Sequence, residues 1–87
     1  MESQEKSASL FAEGLRLASA GSLAQAIEAL EQAARFCPKN PTYEYQLGLC
    51  CQRAGRNLDA ALAYSRAIEL APESSPAWNQ LALVFTE

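Results

Sequence analysis

The 87-residue chain can be laid over itself without a gap at an offset of thirty-four. Residues 7–40, SASLFAEGLRLASAGSLAQAIEALEQAARFCPKN, and 41–74, PTYEYQLGLCCQRAGRNLDAALAYSRAIELAPES, put Gly14 over Gly48, Leu15 over Leu49 and Ala20-Gly21 over Ala54-Gly55. Further along, Ala26 falls over Ala60, Ala29 over Ala63, Ala33 over Ala67 and Pro38 over Pro72. A third copy opens at 75 and runs to 87, with Trp78 below Glu44 and Leu10, Leu81 below Leu47, and Leu83 below Leu49. A unit recurring at this interval cannot bury its apolar face alone and has to stack against its neighbours, so the repeat decides the architecture before any local propensity does.

Within each copy apolar residues recur at steps of three and four, the spacing of one helix face, and nothing alternates with a period of two. Gly21 and Gly55 supply the left-handed residue that closes the first helix of each pair, and Pro38 and Pro72 stop the second. Asn40-Pro41 and Ser75-Pro76 place a capping side chain before a proline of the first turn, and Ser22 with Gln25 has the form of a capping box. The spacing predicts helices over 7–20, 23–36, 41–54, 57–70 and 75–86, preceded by a polar extension at 1–6. Small residues at Gly14, Gly48, Ala26, Ala60, Ala33 and Ala67 mark where helix backbones approach one another.

The 34-residue period, Trp78 with Leu81, Leu47-Gly48, the two Ala-Gly turns, Ala26 and Ala60, the large residues Leu30 and Tyr64, and the closing prolines together resemble the tetratricopeptide repeat (TPR) family. The resemblance covers 7–87. It departs from the family pattern at Leu10, Glu13, Glu44 and Cys51, where Trp, Leu, Trp and Tyr are usual. It implies an all-α, right-handed solenoid of two full helix-turn-helix repeats, 7–40 and 41–74, plus the first helix of a third, 75–87. It also implies a concave groove lined by the first helix of each repeat. Carried over by position, the partner-binding residues are Phe11, Leu15, Tyr45, Leu49, Gln52, Arg53, Asn79 and Leu83, with Ala8 and Thr42 beside them. Leu15, Leu49 and Leu83 form a ladder at one repeat position; they either receive an apolar peptide or helix, or fill space between tightly curved hairpins.

The branch of the family that grips acidic chaperone tails uses Lys, Asn and Arg at positions held here by Phe11, Leu15, Gln46, Pro76 and Gln80, so that clamp is not expected. The segment LGLCCQRAGR is similar to the small chaperones of bacterial secretion systems, which is one alternative; a targeting or structural module of a larger enzyme is another. The principal expectation is a protein–protein interaction scaffold.

Chemistry points the same way. No histidine is present among the 87 residues, and no Gly-rich phosphate cradle or usable carboxylate pair appears, so no catalytic residue is assigned and an enzyme is not expected. Cys50 and Cys51 diverge by about 100° on a helix and do not face one another. Cys51, at an aromatic position of the family, is expected to be a small buried hydrophobe, and Cys37 to be the more exposed thiol. Neither a zinc ligand set nor any other cofactor is implied. A net charge of −3 with scattered Lys and Arg argues against nucleic acid as partner, and no apolar run reaches the ~20 residues of a membrane span, so a cytoplasmic protein is expected. Glu28, Glu31, Glu69 and Glu73 are expected on outward faces, with Glu31 and Arg35 as an i,i+4 pair.

The third copy stops before its Ala-Gly turn. Residues 1–87 are therefore expected to be the amino-terminal piece of a longer chain, and Trp78, Leu81, Ala82 and Phe85 to present an apolar stripe through which the fragment self-associates, as a homodimer or a higher assembly.

Overall fold

The computed structural model describes residues 2–73 and 76–86. Five helices follow in order: α1 (Glu2–Ser19), α2 (Leu23–Phe36), α3 (Pro41–Arg53), α4 (Asn57–Leu70) and α5 (Ala77–Thr86), and no strand occurs among the described residues. Helix α1 packs chiefly on α2 and α3 on α4; α2 then meets α3 and α4 meets α5, while α1, α3 and α5 touch side by side at their margins. The result is two layers, α1-α3-α5 and α2-α4, within extents of 39 × 29 × 16 Å. The short axis is close to the ~15 Å of two helices with axes ~10 Å apart plus a backbone radius of ~2.3 Å on each side. The all-α helical-repeat solenoid expected from the period is what the chain forms.

The turns inside the two hairpins are built identically. Gly21 and Gly55 have φ of 87° and 81°. After α1, the Ser22 N–H donates to Leu17 O at 2.9 Å and the Gly21 N–H to Ala18 O at 3.1 Å; after α3, Arg56 donates to Cys51 O at 2.8 Å and Gly55 to Gln52 O at 3.1 Å. Both pairs are the six-to-one and five-to-two bonds of a Schellman motif, which satisfies carbonyls that the helix end would leave orphaned. Asn40 caps α3 as expected, its Oδ1 accepting from Thr42 N at 3.0 Å and Tyr43 N at 3.4 Å, with Pro41 in the first turn.

Several sequence expectations need correction. Helix α1 starts at Glu2, so most of the supposed extension at 1–6 is helical. Residues 2–6, ESQEK, are good helix formers and contain neither Pro nor Gly, so nothing halts the helix before Ser7. Ser7 is itself buried, at 1% exposure, with its Oγ 3.0 Å from Cys37 Sγ and 3.5 Å from the Tyr43 hydroxyl, which ties α1 to the α2–α3 turn. Ser22 precedes α2 in the N-cap position, yet its side chain makes no capping bond, and Glu31–Arg35 is not among the ion pairs of the described residues. The expected cap at Ser75 lies outside the described residues.

The core runs through both layers. Leu30, Tyr64, Ala26, Ala33 and Ala60 are fully buried, and Ile27 and Ala63 nearly so. Gly14 and Gly48 face the two large members: a Cβ built on Gly14 would lie 2.8 Å from Leu30 Cγ, and one on Gly48 would lie 2.5 Å from Tyr64 Cε1. Cys50 and Cys51, each 2% exposed, belong to this same core, whereas Cys37 is only partly buried; all three are free thiols. The bland reading of Cys51 as a packing residue holds, and it extends to Cys50.

Candidate functional site

Burial along α3 divides the helix into two faces. Tyr43, Glu44, Leu47, Gly48, Cys50 and Cys51 are buried. Thr42, Tyr45, Gln46, Leu49, Gln52 and Arg53 remain half-buried or exposed at intervals of three and four, which is one continuous helical stripe. Its neighbours in the same layer, α1 and α5, carry Phe11 and Leu15, and Asn79 and Leu83, at the equivalent repeat positions. The eight residues expected to line a groove therefore lie on helices of one layer.

They are not equally open. Phe11 is half-buried and stacks on the Tyr43 ring, with centroids 4.5 Å apart and planes at 30°. Leu15 is half-buried. Tyr45 lies against Tyr64, centroids 5.9 Å apart at 46°, and Leu49 packs on the main core with part of its surface exposed. Gln52 is drawn into its own hairpin, its Oε1 accepting from the Tyr64 hydroxyl at 2.7 Å. Arg53 stays exposed, and its Nη2 donates to Ala18 O at 3.5 Å, so the guanidinium is held across the end of α1. Asn79 is exposed and Leu83 is 49% exposed. Space filling and an open apolar surface are thus combined in the same ladder: Leu83 is about half exposed, Leu49 is shared between core and surface, and Leu15 is half-buried.

At one end of this face Pro41, Thr42 and Tyr45 of α3, Ala67 and Ala71 around the end of α4, and Pro76 and Ala77 at the start of α5 enclose an open-mouthed, mainly apolar cleft of about 220 Å³. Thr42 and Tyr45 occupy lining positions and were foreseeable from the repeat. Ala67, Ala71 and Pro76 were not, because the cleft exists only where three helix ends meet.

The last helix differs from expectation in detail. Trp78 is 55% exposed, with its indole N–H donating to Pro72 O at 3.4 Å, and Ala82 is exposed. Leu81, however, is half-buried against the core, so it is not part of an open stripe; the side chain of Phe85 lies outside the described residues. The open apolar surface of α5 is Trp78, Ala82 and Leu83.

Two polar features escaped the sequence. Glu44, at a position where an aromatic residue would pack, is 6% exposed; its Oε1 has no hydrogen-bond partner and lies 4.0 Å from Arg66 Nη1. Burial raises its carboxyl above the usual range, against a smaller lowering by Arg66. The Ser7–Cys37–Tyr43 contact is the other, unreadable because it joins residues thirty and thirty-six apart. Glu28, Glu31, Glu69 and Glu73 are all exposed as expected. Among the described residues no group of three or more Cys, Asp and Glu side chains is placed to hold a metal ion, and no helix is long and apolar enough to cross a membrane.

Residues 14–55, from the last third of α1 to the turn after α3, match the family model of the TPR repeat. No curated protein matches the chain.

Proposed function

Because this chain belongs to the tetratricopeptide-repeat family, a family of generally non-catalytic protein–protein interaction repeats, we propose that it works by receiving an apolar peptide or helix on the α1-α3-α5 face. The observation that carries this reading is the stripe on α3: Tyr45 and Leu49 keep part of their surface open although both have neighbours against which they pack. Leu83, 49% exposed at the same repeat position as Leu49, continues the apolar surface onto α5.

A peptide array probed with the wild-type chain and with Leu49→Glu and Leu83→Glu variants tests the proposal. Peptides bearing apolar residues are expected to bind wild type and to lose binding to both variants, each checked for native helicity by circular dichroism. Since Leu83 is the more open, its variant keeps the test decisive if Leu49→Glu unfolds. Equal binding by a folded Leu83→Glu variant refutes the reading.

Pairing of two copies through α5 is a second reading, favoured by Trp78 at 55% and Leu83 at 49% exposure. Its expected signature is a concentration-dependent sedimentation coefficient that Trp78→Glu abolishes. A monomer at every concentration rules it out.

A further inference from the structure

The cleft at the α3–α4–α5 junction has a counterpart one repeat earlier, and the counterpart is full. Its lining residues pair with others thirty-four positions before them: Pro41 with Ser7, Tyr45 with Phe11, Ala67 with Ala33, Ala71 with Cys37 and Ala77 with Tyr43. At the α1–α2–α3 junction the Tyr43 ring takes up that space. It stacks on Phe11 with centroids 4.5 Å apart, lies in one buried cluster with Ala33, with Cys37 packed against it, and holds its hydroxyl 3.5 Å from Ser7 Oγ. At the later junction the walls recur and the ring does not. Ala77 ends at its Cβ, and about 220 Å³ stands open where the equivalent phenol would lie.

The vacancy has the size and chemistry of a ring. Its volume exceeds the ~150 Å³ of an apolar cavity known to bind benzene. Tyr45 stands where Phe11 does and supplies an aromatic wall, whose pairing with a second ring adds to the gain from burial. The polar end of the filled site is gone, since Pro41 replaces Ser7 and Ala71 replaces Cys37. A hydroxyl buried there would lose water and gain no partner from those two side chains. Pro41 and Pro76 also have no N–H to offer a peptide carbonyl, so the cleft suits a ring better than a backbone.

We infer that this cleft is a binding site for a small, free monocyclic aromatic compound, apolar on the side that enters and with any polar group left at the mouth. One repeat carries its ring as Tyr43; the next takes one from solution. Neither Leu49 nor Leu83 lines the cleft, so its occupancy is independent of the function proposed above.

Benzyl alcohol is the probe, titrated into the isotope-labelled 87-residue chain and followed by amide chemical shifts, which report weak binding. The shifts are expected to saturate and to centre on Tyr45, Ala71 and Ala77. The para-hydroxy derivative, polar at both ends, is expected to bind about fivefold more weakly or worse, the cost of a buried hydroxyl without a partner. Ala77→Phe, which restores a ring at the position of Tyr43, is expected to abolish binding. Ala71→Leu, at the half-buried Ala71, narrows the cleft and is expected to weaken binding about tenfold or more. Both variants are checked for native helicity by circular dichroism. N-acetylphenylalaninamide carries the same ring between peptide bonds and is expected to bind no more tightly than benzyl alcohol. Leu83→Glu is expected to bind the probe as wild type does. Absence of saturable shifts at the cleft, or undiminished binding by either folded cleft variant, overturns the ring site and leaves the peptide reading to its own test. Tighter binding of the amide also overturns it, and assigns the cleft to a peptide partner.

Discussion

Replacing Gly48 by alanine separates two opposing effects inside α3. In an open helix the change stabilises by about 1 kcal/mol, because glycine loses the most backbone freedom on folding. Here the added Cβ would lie 2.5, 2.7 and 3.0 Å from Tyr64 Cε1, Cδ1 and Cζ, all closer than ordinary contact. The ring has little room to retreat, since Tyr64 is fully buried and its hydroxyl is bonded to Gln52 Oε1 at 2.7 Å. Overpacking of this kind costs ~1–3 kcal/mol, and displacing the phenol endangers a hydrogen bond worth ~1 kcal/mol. Set against the propensity gain, the net expectation is a loss of about 1–3 kcal/mol, at roughly 4–8 °C of melting temperature per kcal/mol in a chain this size. Urea and thermal denaturation followed at 222 nm measure it. In a Tyr64→Leu background Gly48→Ala should cost much less than in wild type, since the cycle removes the clash with the ring and keeps the propensity gain. Gly14→Ala should cost less, because its contacts, at 2.8 and 2.9 Å, are with the side chain of Leu30, which can change rotamer. A Gly48→Ala variant as stable as wild type would refute the account of close helix approach on which the hairpin geometry rests.

Three further outcomes are expected. Glu44→Gln should stabilise the chain at neutral pH. Burial raises the carboxyl above its unfolded value, so its relative stability is full below the ordinary carboxylate range near pH 4.3 and is lost as pH rises through the raised folded value. The advantage of the variant in urea midpoint should therefore shrink on acidification, and an advantage independent of pH would contradict this. Of the three thiols, Cys37 should react promptly with an aromatic disulfide reagent in the native state. Cys50 and Cys51 should react only on unfolding, being 2% exposed, with burial pushing Cys51 up to about 11 and Cys50 also upward; prompt reaction of all three would contradict the core assignment. Ala60→Leu should lower stability by about 1–3 kcal/mol, since Ala60 is fully buried at the hairpin interface, and an unchanged urea midpoint would argue against tight packing of α3 on α4.

Local chemistry was legible from the chain alone. The two Ala-Gly turns, Asn40-Pro41 and the closing prolines act through neighbours within a few residues, so each could be read where it stands, and four of the five helices were bounded to within two residues at both ends. The start of α1 was misread, because a polar run says nothing of its own conformation until Ser7 finds Cys37 and Tyr43 across the fold. The lining positions were also legible, since a helix face is a matter of spacing. Which of them stay open was not: Gln52 is claimed by Tyr64, Leu81 by the core and Arg53 partly by Ala18, and each contact joins segments the sequence lists apart.

The repeat, and with it the layered stacking, can be read from the chain alone, because recurring units with one apolar face have few other ways to bury it. The cleft between three helix ends and the burial of Glu44 without a hydrogen-bond partner for Oε1 emerge only once the helices pack together. Those depend on which side chains of separate helices meet, and distance in space is not encoded by distance along the chain.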